Sequence, residues 1–369
     1  MPWVYSLLSR KVHGFTIEHK APMSKMNSLP LYEDCFGYNF YKKSKAIART
    51  HEEYICAMRT ELYSVDKRIL GGAVTSYASL KDLAKEQIKN GRFSVIADSA
   101  HFENLFVFKN SNRLYVFLSG ARPLSQGPPI FKRWSWFKHM NGSVLSISDP
   151  MFYEYPKCSL GWYYGTPEIN WLETTALLAL KVAEGCGIKP EDIVFYGSSG
   201  GGWAACWCAS YIPGSLAIAI NPQIFLDRYN YAETFSKITG NSLKNDALNR
   251  NNLYERMKVS SSKFMIIQNI SDHDGLDDHI SPLMKIYDID GEYGINAREN
   301  LLVWLYMAKG GHTTQETLFI LPHILNLAED FSKDNFSLPK EKILFYQNIT
   351  EIWHAYYNIL RELQHLQKS

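Results

Sequence analysis

The chain has 369 residues, of which 46% are hydrophobic and 21% charged, and its formal net charge is +2. This is a globular composition with ample length for a buried core, and length alone allows either two domains or one α/β domain with additions. So small a net charge excludes the strong basic field that steers a protein to nucleic acid or to an acidic membrane.

Six cysteines (Cys35, Cys56, Cys158, Cys186, Cys206 and Cys208) show neither a CxxC pair nor metal-ligand spacing. The first residues, "MPWVYSLLSRKVHGF", lack a long apolar run with a small-residue cleavage site, and no window approaches 18 uninterrupted apolar residues. The expectation is a cytoplasmic chain without a transmembrane segment. A weak amphipathic membrane contact through Trp3, Leu7 and Leu8 stays open.

Residues 1–90 read as a helical N-terminal extension. "SKAIARTHEEYICAMRTELYSV" (44–65) and "SLKDLAKEQIKNG" (79–91) have helical spacing, and Gly91 stops the second. From Arg92 the pattern changes to strand-like runs: "RFSVIADSA", "ENLFVFKN" and "NRLYVFLSG". The polar "NSN" at 110–112 suggests a hairpin loop, and hence an antiparallel start to a sheet. A loop-like, Pro- and Gly-rich stretch follows, then the strand "GSVLSISDP" and the helix "INWLETTALLALKVAEGCGI". The strands "DIVFYG", "SLAIAINPQ", "SKFMIIQNIS" and "NLLVWLYMAKGG" come next, with a helix in "GGWAACWCASYI" and another in "TTQETLFILPHILNLAEDF". Strands alternating with helices predict a mostly parallel central sheet covered by helices on both faces. The core spans 91–335, with an aromatic-rich cap or loop at about 121–171, and 336–369 forms a C-terminal helix. The aromatic runs "FKRWSWFKHM" and "LGWYYGTPEINW" either stack sugar rings or pack the cap on the sheet.

Gly197-Ser198-Ser199-Gly200-Gly201 fits G-x-S-x-G with Ser199 at its centre. An apolar strand precedes it and a small-residue helix follows, which is the context of a sharp turn that lifts a serine hydroxyl above a sheet edge. A phosphate-binding loop needs a lysine after the glycines, and a dinucleotide fingerprint needs G-x-G-x-x-G; neither is present here. A glycine-rich turn without chemistry is the remaining alternative.

A serine nucleophile needs a base and a group that orients the base. "KFMIIQNISDHDG" supplies Asp272 just past a strand, with Asp274 as its alternative, and "AKGGHTTQE" supplies His312 past the last strand. The order Ser, Asp, His is the one that the G-x-S-x-G turn calls for. The run "DHDGLDDH" (272–279) matches neither the EF-hand loop nor HExxH, so no metal is expected; His279 instead becomes a candidate pocket residue. Oxyanion donors are expected from the amide of Gly200 and from the amide of Gly120 or Ala121 in "YVFLSGARP". Arg122 is a candidate contact for an anionic substrate, and Trp162 a candidate contact for a sugar.

Together, "FLSGARP", "DIVFYGSSGGGWAA", "AINPQ", "NISDHD" and "AKGGHTTQE" resemble the α/β-hydrolase superfamily. More narrowly, they are similar to its bacterial capsule and polysaccharide-associated branch, which includes O-acetyltransferases that acetylate capsular sugars from acetyl-CoA. The resemblance covers roughly 92–335. It implies the α/β-hydrolase fold, with Ser199 as acyl-carrying nucleophile, His312 as base and Asp272 as its partner. The implied function is serine-dependent acyl transfer or ester hydrolysis on a small-molecule or glycan ester, with no required cofactor and acetyl-CoA as a candidate acyl donor. A non-catalytic scaffold or binding protein in polysaccharide assembly or protein export is the second reading; the Ser, Asp, His order argues against it.

Overall fold

A computed structural model describes residues 73–83, 88–251, 253–291, 293–313, 316–333 and 336–366. The helical run expected at 44–65 and the contact through Trp3, Leu7 and Leu8 lie outside the described residues.

Five short apolar segments form the inner strands of one sheet. They are β4 (Leu114–Leu118), β5 (Ser143–Ile147), β6 (Ile193–Ser198), β7 (Leu216–Ile220) and β8 (Lys263–Asn269). Every residue of β4 to β7 is buried, so both faces of these strands are covered. This is why they read as continuous apolar runs rather than alternating ones. On one side the sheet continues through β3 (Ala100–Val107), β2 (Gly91–Ala97) and β1 (Thr75–Tyr77), and on the other through β10 (Leu301–Tyr306) and β9 (Gly294–Arg298). The ten strands run β1-β2-β3-β5-β4-β6-β7-β8-β10-β9, with β4 to β8 and β10 mutually parallel.

Three features of the sheet depart from the expected elements. The hairpin is not at 110–112: β3 pairs with β5, and β4 lies beyond β5. The hairpin joins β2 to β3 through Asp98 and Ser99, both at positive φ (47° and 60°), the conformation a two-residue hairpin turn demands. β4 instead pairs with β5 and β6 and is buried along its whole length. Secondly, the sheet starts at Thr75–Tyr77, within the stretch read as helical. Thirdly, β9 closes the far edge antiparallel to β10; "GINAR" is too short and mixed to announce a strand.

The principal helices are α1 (Trp171–Gly185), α2 (Gly200–Tyr211), α3 (Ala232–Thr239), α4 (Leu253–Val259), α5 (Leu321–Ser332) and α6 (Lys340–Leu366). Asn170 caps α1 by accepting the Leu172 amide at 3.1 Å. α5 starts at Leu321, later than the expected Thr313, with Pro322 in its first turn where a missing N–H costs nothing. α2 is buried from Gly200 to Ala209 and packs between β6, β7, α1 and α4. On α6, Tyr346, Ile349, Thr350 and Trp353 form the buried face at helical spacing, and Trp353 stacks on Tyr306 at 3.9 Å. Among the described residues no helix is long and apolar enough to cross a membrane.

This is the expected architecture: a mostly parallel sheet with helices over both faces and a closing C-terminal helix. The strand order, with β4 and β5 interchanged and β6 followed by a turn into α2, is that of the α/β-hydrolase fold.

Candidate active site

The site is built at the carboxyl ends of five parallel strands, the edge at which open α/β sheets place their chemistry. β6 ends at Ser198, and Ser199 makes the turn into α2 with φ 54° and ψ −126°. A non-glycine residue in this region stores about 1–3 kcal/mol of backbone strain. The surroundings over-determine the turn. The Ser199 amide donates to Ile220 O of β7 at 2.8 Å, and the Ser199 carbonyl accepts from Gly202 and Trp203 at 3.0 and 3.1 Å. The flanking glycines are required by space. A Cβ on Gly197 would overlap the Gly201 carbonyl, and one on Gly201 would stand 2.5 Å from Leu118 O.

Ser199 Oγ lies 2.9 Å from His312 Nε2, and His312 Nδ1 lies 2.8 Å from Asp272 Oδ2. The three residues come from the ends of β6, β8 and β10 and form one continuous hydrogen-bonded chain. Asp272, rather than Asp274, is the carboxylate paired with the imidazole. It also accepts from the Gly275 amide at 3.3 Å and from Gln268 Nε2 at 3.3 Å. Burial by itself would raise the Asp272 pKa. The hydrogen bond and charge of His312, helped by Gln268 and the Gly275 amide, outweigh it and hold the carboxyl below its ordinary value.

Two asparagines hold the loops in place. Asn269 Nδ2 donates to Ala308 O at 2.7 Å and Gly311 O at 2.9 Å, and its Oδ1 accepts the amides of Ala308 and Ser271. Asn221, at φ 45°, accepts the Asn269 amide at 2.8 Å and reaches the His312 carbonyl at 3.4 Å.

Gly120 follows β4. A Cβ there would meet Ser198 O at 2.8 Å, Ser199 Cβ at 3.6 Å and the Gly200 nitrogen at 3.7 Å, so the Gly120 backbone lies directly beside the serine turn. The Tyr163 hydroxyl takes the Ser119 amide at 2.7 Å and donates to Ile147 O at 2.7 Å, which fixes the approach to this loop. Ala121 is exposed.

The remaining candidates take other positions. The Arg122 guanidinium is turned inward onto the carbonyls of Cys158, Gln126 and Pro156 and lies over the Phe152 ring, so its donors brace the loop. His279 is buried and its Nδ1 accepts the Phe225 amide at 3.4 Å; burial pushes its pKa down to about 4, so the ring is neutral. Tyr229 neighbours both imidazoles, its ring centre 6.2 Å from His279 and 6.4 Å from His312. Trp162, Tyr163, Tyr164 and Trp171 are all buried, which fits the packing alternative for the second aromatic run.

Gln223 is the residue that sequence reasoning missed. Its Nε2 donates to Ser199 Oγ at 2.9 Å while its Oε1 accepts from Trp162 Nε1 at 3.2 Å. The "AINPQ" run past β7 was the available signal: a polar side chain at the carboxyl end of a strand beside the serine turn.

Neither a protein-family model nor a curated protein matches this chain. Among solved structures, it is similar to the capsule O-acetyltransferase of Neisseria meningitidis serogroup A. The two are 18% identical, with 69% of this chain and 99% of that one covered and a TM-score of 0.47. A thermophilic esterase of Thermogutta terrifontis is 16% identical over 66% of this chain and 91% of its own, with a TM-score of 0.45. The acylaminoacyl peptidase of Pyrococcus horikoshii is 13% identical over 70% of this chain and 44% of its own, with a TM-score of 0.48.

Proposed function

We propose that this protein is a serine acyl-transfer enzyme that works through an acyl-enzyme on Ser199. One observation carries the reading: the unbroken chain Ser199 Oγ, His312 Nε2, His312 Nδ1, Asp272 Oδ2, with links of 2.9 and 2.8 Å. In this reading His312 takes the Ser199 proton as Oγ attacks an ester or thioester carbonyl, and returns it to the leaving group. Asp272, held ionised by its donors, fixes the imidazole with its proton on Nδ1 and stabilises the imidazolium that forms. The amides of Gly200 and of Gly120 or Ala121 take the developing oxyanion, supported by the position of Gly120 beside the turn. Water or a sugar hydroxyl then attacks the acyl carbon, His312 accepts its proton, and Ser199 is released.

The substrate class we favour is a small-molecule or glycan ester, with acetyl-CoA as an acyl donor if the acceptor is a sugar hydroxyl. The narrower resemblance of the elbow, "AINPQ" and "GGH" motifs supports this choice. The test compares acetate release from an aryl acetate with acetyl transfer from acetyl-CoA to a panel of bacterial glycans. Transfer that exceeds release identifies an O-acyltransferase, and release without transfer identifies an esterase. Absence of both in the folded protein would overturn the enzymatic reading in favour of a scaffold.

A further inference from the structure

We infer that Gln223 is a further catalytic residue of this site: its amide donates to Ser199 Oγ and speeds release of the acyl group from the serine more than its loading, with Trp162 as the positioning residue. The inference rests on the acyl-enzyme reading above. Two hydrogen bonds carry it. Gln223 Nε2 lies 2.9 Å from Ser199 Oγ, and Gln223 Oε1 lies 3.2 Å from Trp162 Nε1. An indole N–H only donates, so it claims the amide oxygen and leaves the amide nitrogen facing the serine. Both residues are buried, Gln223 at 1% and Trp162 at 0% exposure, so water does not substitute for either partner. Trp162 itself is fixed. It adopts φ 56°, and its ring lies 5.0 Å from Phe235, 6.0 Å from Tyr231 and 6.2 Å from Tyr229.

A serine hydroxyl has one proton and two lone pairs. In the resting site the proton faces His312 Nε2 and a lone pair receives the Gln223 amide. During loading, the Oγ–C bond forms, the bond from the acyl carbon to the leaving atom breaks, and the Oγ proton passes through His312 to the leaving group. Oγ becomes an ester oxygen, a weaker acceptor, and the Gln223 bond weakens with it. During release, the acceptor oxygen bonds to the acyl carbon and the C–Oγ bond breaks. Its electron pair returns to Oγ, and the acceptor's proton reaches Oγ through His312. Negative charge grows on Oγ in that step, and a hydrogen bond to a charged acceptor is the stronger kind. Oγ also gains charge in loading as His312 removes its proton, but loading starts from a hydroxyl that already accepts the full Gln223 bond, whereas release starts from an ester oxygen that accepts it weakly. The bond therefore strengthens more toward the transition state of release, and the amide favours release over loading.

The experiment follows acetylation of Ser199 and its reversal separately, by single-turnover kinetics with an aryl acetate and by intact-protein mass. It uses wild type, Gln223→Met and Gln223→Glu. The glutamate keeps an acceptor for the Trp162 indole and, when ionised at alkaline pH, has no donor for Oγ, so it separates donation from simple support of Trp162. The expected result in both variants is release slowed about 10- to 100-fold, the range of one hydrogen bond to a developing charge. Loading changes far less, and acetyl-enzyme accumulates. Trp162→Phe, which frees the amide to turn over, gives the same asymmetry in weaker form. Variants that melt cooperatively and load Ser199, yet slow both steps by one factor or neither step, would overturn the role of Gln223 and leave the acyl-enzyme reading standing. A wild type that never carries acetyl on Ser199 would overturn both.

Discussion

Asn221 and Asn269 are locked together beneath the site: the Asn221 side-chain oxygen accepts the Asn269 backbone amide at 2.8 Å. Through this pair the turn after β7 is joined to the end of β8. The Asn269 side chain then holds the loop after β10 through Ala308 and Gly311, and the turn before Asp272 through the Ser271 amide. One buried asparagine thus sets the separation of Asp272 and His312, and Asn221 ties both to the strand beside Ser199.

Asn269→Ala is expected to cost more than a surface substitution of equal size, because it leaves several buried backbone groups without partners, each worth about 1–3 kcal/mol. At temperatures where the variant is folded, kcat/KM for an aryl ester should fall about 100-fold, the effect of an ångström-scale misplacement of reacting groups. Thermal melting and steady-state kinetics on the same samples check this. Unchanged kcat/KM would show that the His312 and Asp272 loops are held by other means.

Gly120→Ala and Gly197→Ala separate chemistry from folding. At 120 the added methyl faces Ser198 O at 2.8 Å and the amide of Gly200 at 3.7 Å. The expected outcome is a folded protein whose turnover falls about 100-fold or more, as when an oxyanion donor is lost. At 197 the methyl overlaps the Gly201 carbonyl, within the turn itself, so Gly197→Ala should fail to accumulate as folded protein. Circular dichroism and turnover distinguish the two.

Glu316 sits four residues beyond His312 and pairs with Arg133 Nε at 2.6 Å, while the Tyr196 hydroxyl donates to the same oxygen at 3.0 Å. The Glu316 side chain is fully buried and that of Arg133 is 10% exposed. Glu316→Ala takes the carboxylate away from the buried Arg133 and should cost about 3–5 kcal/mol by denaturant titration, whereas Arg133→Met with Glu316→Ala should recover much of it. Additive losses in the double variant would refute the coupling.

The pH dependence of stability follows two groups of opposite type. His279 has its folded pKa lowered from 6.5 to about 4 by burial. Above 6.5 it is neutral in both states and costs nothing. As pH falls toward 4 the unfolded chain takes up the proton first, so stability is lost across that window, by at most about 3 kcal/mol. His279→Gln should flatten the curve there. Asp272 has its folded pKa lowered below 3.8, so its contribution is present above that value and disappears as pH falls through the folded pKa. Asp272→Asn should therefore differ most from wild type near neutrality and converge with it in strong acid. Denaturant midpoints across pH for the three proteins measure both effects.

Much of the site was legible in the sequence because its chemistry is attached to strand ends. "DIVFYGSSGGG", "NISDHD" and "AKGGH" each mark where an apolar run stops, and the fold brings those stops to one edge. The sheet order was only partly legible. β4 lies beyond β5, so the chain crosses over between β3 and β4, which the polar 110–112 turn concealed. The "AINPQ" run marked the place of Gln223 at a strand end, but not its orientation toward Ser199, which depends on Trp162, 61 positions away in the chain. Arg122 illustrates the reverse case: a basic residue in the loop after β4 whose donors are spent on local carbonyls, which no sequence pattern announces.

The most direct test of the account is the intact mass of the folded protein after exposure to a fluorophosphonate. A single adduct that maps to Ser199, absent in Ser199→Ala and strongly slowed in His312→Ala, is the predicted result. A folded wild type that takes no adduct, or an adduct that persists in Ser199→Ala, would contradict it.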